Sequence, residues 1–163
     1  MKGNKTKHIN NIILALTAVL LALVCIHIVL TPIRFSKERA MREQAVKSSL
    51  IAIRQAQERY CQRHGEYANS FTKLIQDGLL PDTLQYIPYA GHERYQMATG
   101  MFQTKSGKQI PLMECSADYR VFLKGLNKSE IRRITEEAIR AGRFPGMKIG
   151  DLTTPNDNAG NWE

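Results

Sequence analysis

No acidic residue occurs among the first 32 residues, and residues 12–30 carry no Lys, Arg, Asp or Glu at all. Thirteen of those nineteen residues are Leu, Ile or Val. A run this apolar is not left free in water, because every methylene exposed costs free energy. The remaining absences concern chemistry. No Gly-rich phosphate loop precedes a helix, since Gly146 and Gly150 are not followed by the Lys and hydroxyl residue such a loop requires. No Ser stands in a Gly-x-Ser-x-Gly elbow, and no zinc-protease helix pair occurs. Glu136 and Glu137 are adjacent, so on a helix they point about 100° apart and cannot share a proton. Internal repeats and low-complexity tracts are absent as well. These gaps argue against an enzyme and imply no cofactor and no small-molecule substrate.

A helix rises about 1.5 Å per residue, so nineteen residues span roughly 28 Å, near the hydrocarbon thickness of a bilayer. On insertion scales the Leu, Ile and Val residues favour the membrane by roughly 4 to 8 kcal/mol. The sequence therefore predicts a transmembrane helix over residues 12–31, with Ile12, Leu16, Leu20, Leu23 and Leu30 as its anchor. His27 is expected at the headgroup rim. A cleaved secretory signal fits less well. The apolar core is too long for one, and Thr31-Pro32-Ile33-Arg34-Phe35 offers no small-x-small site.

Residues 1–11 read as a short basic tail with Lys2, Lys5 and Lys7. After Pro32 come twenty basic and fifteen acidic residues, a net charge of +5 spread over 131 residues. That mild, well-mixed excess suits anionic lipid or an acidic partner and does not suit nucleic acid. Residues 32–64 read as an amphipathic stem helix with Val46, Leu50, Ile53, Ala56 and Tyr60 on one stripe and Gly65 as its C-cap. Its other faces are charged. Arg39, Arg42, Lys47 and Arg54 are expected to form an exposed basic face that meets a partner.

Residues 65–163 read as one head domain. Asn69 or Ser70 can cap a short helix that buries Phe71, Leu74 and Ile75 and stops at Gly78. Three or four antiparallel strands are expected between residues 84 and 126, with Lys105-Ser106-Gly107-Lys108 as the clearest hairpin turn. Asn127 and Glu130 resemble a capping box opening a helix through Ile131, Ile134, Ala138 and Ala141. A turn-rich tail follows, which Trp162 is expected to pin. The fold class is thus α+β: a transmembrane helix running into a long amphipathic helix packed on a small antiparallel sheet, then a C-terminal helix and tail.

Three cysteines are present: Cys25 in the apolar run, Cys61 and Cys115 beyond it. Cys61 and Cys115 could pair as a disulfide, which the chain-entropy model values at roughly 4 kcal/mol for a loop this long. They could equally remain separate thiols, or join His64 and His92 in a zinc set.

Three segments then resemble the type IV pilin and type II secretion pseudopilin superfamily. They are Ile53-Arg-Gln-Ala-Gln-Glu-Arg-Tyr60, Gly65-Glu-Tyr67, and Leu74-Ile-Gln-Asp-Gly78-Leu-Leu-Pro81. The close, Asn156-Asp-Asn-Ala-Gly-Asn-Trp162-Glu163, is similar to the tail of major pseudopilins, where an Asp-rich loop binds calcium in some relatives. Asp151 and Asp157 are the residues here that could do so, although a plain Asx-turn accounts for them as well. The prepilin cleavage motif is absent. Gly3 is followed by Asn4-Lys5-Thr6-Lys7, and no Glu heads the apolar run. The resemblance implies a non-enzymatic structural or assembly subunit of a bacterial envelope machine, secretion or pilus-like. Its partners would be the lipid bilayer, copies of itself and other membrane-protein subunits. It would sit in the inner membrane with a cytoplasmic N-terminus and a periplasmic head. The alternative is a membrane-tethered accessory domain holding a partner protein or an envelope polymer.

Overall fold

The computed structural model describes the backbone of residues 3–163, with side chains described for residues 13–25 and 32–163. Two compact units result, Met1–Glu38 and Arg39–Glu163. A single 62-residue helix, α1 (Gly3–His64), runs through both, with Pro32 inside it. Among the described residues no helix is long and apolar enough to cross a membrane. That corrects the transmembrane helix expected over residues 12–31. The side chains of residues 1–11, Ile12, His27 and Leu30 lie outside the described residues.

In the second unit, α1 presents the predicted stripe. Val46, Leu50 and Ile53 are fully buried, and Ala56 and Tyr60 nearly so. Gly65 follows in the left-handed region (φ 76°), as a C-terminal stop requires. The short helix α2 (Phe71–Gln76) buries Phe71 and Leu74, while Ile75 is only half-buried. It closes as a Schellman turn: Gly78 N–H donates to Ile75 O at 3.0 Å and Leu79 N–H to Leu74 O at 2.9 Å.

The sheet has three antiparallel strands in the order β1 (Gln96–Gln103), β2 (Gln109–Asp118), β3 (Gly146–Gly150). The predicted hairpin turn joins β1 to β2, with Gln103 opposite Gln109 and Gly107 at φ 82°. Pro111 is tolerated in the central strand because β3 pairs only with residues 114–118, leaving β2 an open edge beside the proline. Met97, Cys115 and Ile149 form one cross-strand row. Gln57 of α1 meets Met97 Sδ at 3.0 Å, so the stripe packs on that face.

Two elements differ from the sequence reading. Tyr119, Val121 and Phe122, expected in a strand, form the short helix α3 (Tyr119–Phe122), because the Asp118 carboxylate accepts from Arg120 N–H at 2.7 Å and caps it. The third strand comes instead from the tail, where only turns were expected. Gly150 needs its φ of 70°, and a Cβ there would sit 2.0 Å from Met113 O. Helix α4 (Lys128–Arg140) follows the expectation. Asn127 Oδ1 accepts from Ser129 and Glu130 N–H, and Ile131, Ile134 and Ala138 are buried. Glu130 does not complete a capping box but pairs with Arg133 at 2.9 Å.

Gln57, fully buried, carries both backbone groups of Ala68. Its Nε2 donates to Ala68 O at 2.8 Å, and its Oε1 accepts from Ala68 N–H at 2.9 Å. Gln57→Ala should leave both groups buried and unpaired, destabilising the chain by about 2–5 kcal/mol. Leu50→Ala should cost a similar amount through its cavity. Urea unfolding of the two variants measures both.

Candidate functional site

Two regions are candidates. The first is the apolar segment of α1. Ile13, Leu14, Leu16, Val19, Leu20, Leu21, Leu23 and Val24 are all exposed, from 46% to 72%. Thr17 is the one hydroxyl residue between residues 13 and 25, and it donates to Ile13 O at 2.6 Å. Its polarity is thereby satisfied within the helix, and the segment presents an apolar exterior. Monomeric proteins rarely leave so large a contiguous apolar surface without a partner. Leu16, Leu20 and Leu23, named from sequence, lie within it.

The second is a cleft of about 500 Å³ in the second unit. Arg39, Glu43, Tyr119, Arg143, Lys148 and Trp162 border it. The Arg39 guanidinium binds Glu43 at 2.8 Å and lies 5.3 Å from the centre of the Tyr119 ring. Lys148 Nζ bridges Glu114 at 2.9 Å and Asp151 at 3.1 Å. Burial opposes the Lys148 charge, but the two carboxylates outweigh it and raise its pKa. Burial also raises the Tyr119 phenol, reinforced by Glu43. Both shifts run away from neutrality, so neither group is poised to exchange a proton near pH 7.

The four bases expected as a partner-facing surface are placed otherwise. Arg39 faces the cleft. Arg42 Nη1 donates to the carbonyls of Phe122 and Lys124, both at 3.0 Å, satisfying oxygens that α3 leaves open, and it stacks 5.0 Å from the Tyr89 ring centre. Lys47 Nζ sits 5.3 Å from the Trp162 ring centre. Arg54 reaches Glu163 at 3.0 Å and Asn158 O at 3.3 Å. All four are half-buried rather than exposed. At about 100° per residue, Arg39 and Arg42 fall in the sector of the buried stripe and Lys47 and Arg54 at its border. Their stems cover apolar surface while their heads tie down α3 and the tail. Asn158 also donates to the Tyr67 hydroxyl at 2.8 Å, so the tail is held from both sides, with Trp162 half-buried as expected.

Cys61 and Cys115 are free thiols in the structure. Cys61 is half-buried and Cys115 buried, and burial raises the pKa of both. His64 stacks on Tyr60 and meets Asp77 at 2.8 Å, while His92 packs edge-on against Tyr86. Among the described residues no three His, Cys, Asp or Glu side chains converge as a metal site. Asp151, named for calcium, is instead the head of an Asx-turn. Its Oδ1 accepts from Thr153 hydroxyl and N–H and from Thr154 N–H, and its Oδ2 meets Lys148. Gln57 and the Trp162–Lys47 pair were not singled out as a clamp and a cation–π contact. The signal for Gln57 was a lone amide on an otherwise apolar stripe.

No protein-family model matches the chain, and neither a curated protein nor a solved structure does.

The Thr153 hydroxyl and N–H, then Lys148, hold the Asp151 carboxyl below the ordinary Asp range. A depressed folded-state pKa contributes stability above the unfolded value near 3.9 and loses it as pH falls through the folded one. Asp151→Asn should therefore be less stable than the wild type at neutral pH. The gap should narrow steadily below about pH 4, as followed by urea unfolding across pH.

Proposed function

We propose that this chain is a non-enzymatic, pilin-like structural or assembly subunit of a bacterial envelope machine. It works at the inner membrane, with residues 39–163 on the periplasmic side. The observation that carries this reading is the exposed apolar exterior of α1 over residues 13–25. Such a surface is covered in the working state, and lipid together with the same segment of neighbouring copies suits it, because helices with apolar exteriors pack laterally side chain to side chain.

Three features add support. The residues that carry the pilin resemblance have structural roles in the second unit. Tyr60 ends the buried stripe, Tyr67 holds the tail through Asn158, and the segment from Leu74 to Pro81 makes a tight Schellman corner. In the cleft Arg39 pairs with Glu43 and Lys148 with Glu114 and Asp151, and the Lys148 and Tyr119 shifts run away from neutral pH, which suits a scaffold better than a catalyst. The half-buried bases of α1 are spent on holding the head to the helix.

Cys25, exposed in the apolar segment, is a built-in reporter of lateral packing. Oxidative crosslinking of membrane fractions should give a Cys25-linked dimer. A second cysteine at Leu16→Cys should extend the dimer to a ladder of multimers. Leu20→Asp should diminish the ladder, since a carboxylate interrupts the apolar exterior on which such packing depends. A single heterologous product in place of the ladder would overturn self-assembly and favour a tethered accessory domain.

A further inference from the structure

A second recess, of about 510 Å³, lies along one face of α4 where α3 and the following loop approach it. Arg120, Lys124, Lys128 and Arg132 stand at its rim with a single acid, Glu136. Asp118 engages Arg120 at 2.8 Å. Among the described residues, Lys124, Lys128 and Arg132 make no ion pair within 4 Å. The floor is apolar. Ile131 is buried, and Ile139 is 57% exposed although it sits on a helix that buries its other isoleucines. Thr135 also lines the recess. It is 5% exposed, and its hydroxyl is buried with no hydrogen-bond partner, whereas a helical Thr ordinarily returns that group to the carbonyl four residues earlier.

We propose that this recess is the docking site for an acidic segment of a partner protein. An apolar side chain of that segment rests on Ile131 and Ile139. Flanking carboxylates meet Lys124, Lys128 and Arg132, and a polar group satisfies the Thr135 hydroxyl. Charge complementarity selects the acidic partner and steers its approach. The volume suits a few side chains of a peptide, as specific pockets of several hundred Å³ do. A second copy of this chain is a poor occupant. Its sequence contains one pair of adjacent acids, Glu136-Glu137, and Glu137 is engaged by Arg133 at 3.4 Å. A bilayer surface is a poor occupant too, because a flat surface does not reach the buried Thr135 hydroxyl.

The full chain in non-ionic detergent, screened against a random displayed peptide library, tests the proposal. Enriched peptides should share an apolar residue flanked by Asp or Glu. Their affinity should fall by about tenfold or more in Lys128→Glu/Arg132→Glu and weaken as salt is raised. Ile139→Asp should abolish binding. Lys124→Glu, in an exposed loop, serves as the milder variant should the double reversal fail to fold. Enriched peptides without acids, or affinity unchanged by the reversals, would overturn the proposal. It would also be overturned if the reversals removed only adsorption to phosphatidylglycerol vesicles while no acidic peptide bound. The crosslinking ladder of α1 reads a different surface, so either result can fail without the other.

Discussion

The second unit depends on one constraint. The inner face of α1 must be dry from Val46 to Tyr60, yet it includes an amide at position 57. Gln57 meets that constraint by acting as a fragment of backbone. It donates to and accepts from Ala68 as a neighbouring strand would, so the loop after α1 is hydrogen-bonded without a strand. This fixes where the chain turns at Gly65, and hence where α2 and the row of Met97, Cys115 and Ile149 lie against the helix. A truncated residue at position 57 would strand two buried backbone groups.

Around that dry stripe the charges are arranged by reach. Arg39, Arg42, Lys47 and Arg54 emerge at its edges, cover apolar surface with their stems, and place their heads on Tyr119, on open carbonyls, on Trp162 and on Glu163. Each contact is partly exposed and individually modest. Their common effect is positional. They fix α3 and the tail against α1, and β3 is the strand that brings the tail into the sheet. The same helix carries a different surface over residues 13–25, where no charge interrupts an exposed apolar exterior. One helix therefore serves two purposes, with its hydrophobic residues confined to a stripe in one part and spread around the axis in the other.

Much of this was legible in the sequence, and the rest failed for identifiable reasons. The stripe, the glycine stops at Gly65 and Gly78, the hairpin at Ser106-Gly107 and the Asn127 cap are local signals, and local chemistry decided them. Tyr119, Val121 and Phe122 have strand-like side chains, but the Asp118 cap overrode that preference over a single turn. β3 is five residues bounded by glycines, and only its distant partners on β2 distinguish it from a turn. The four bases were read as solvent-facing because charge suggests exposure, whereas their helical phase places them on or beside the buried stripe. The apolar run at residues 12–30 was read as a span from its length. Among the described residues no helix is long and apolar enough to cross a membrane, although residues 13–25 keep the exposed apolar surface that the composition indicated.

The central claim is that residues 39–163 fold around a core of their own, whereas residues 13–25 present a continuous apolar exterior. Sedimentation equilibrium on the full chain and on residues 39–163, both in detergent-free buffer, tests it most directly. The expected result is a folded monomer for residues 39–163 and self-association or precipitation for the full chain, reversed by non-ionic detergent. A full chain that stays monomeric without detergent would contradict the account.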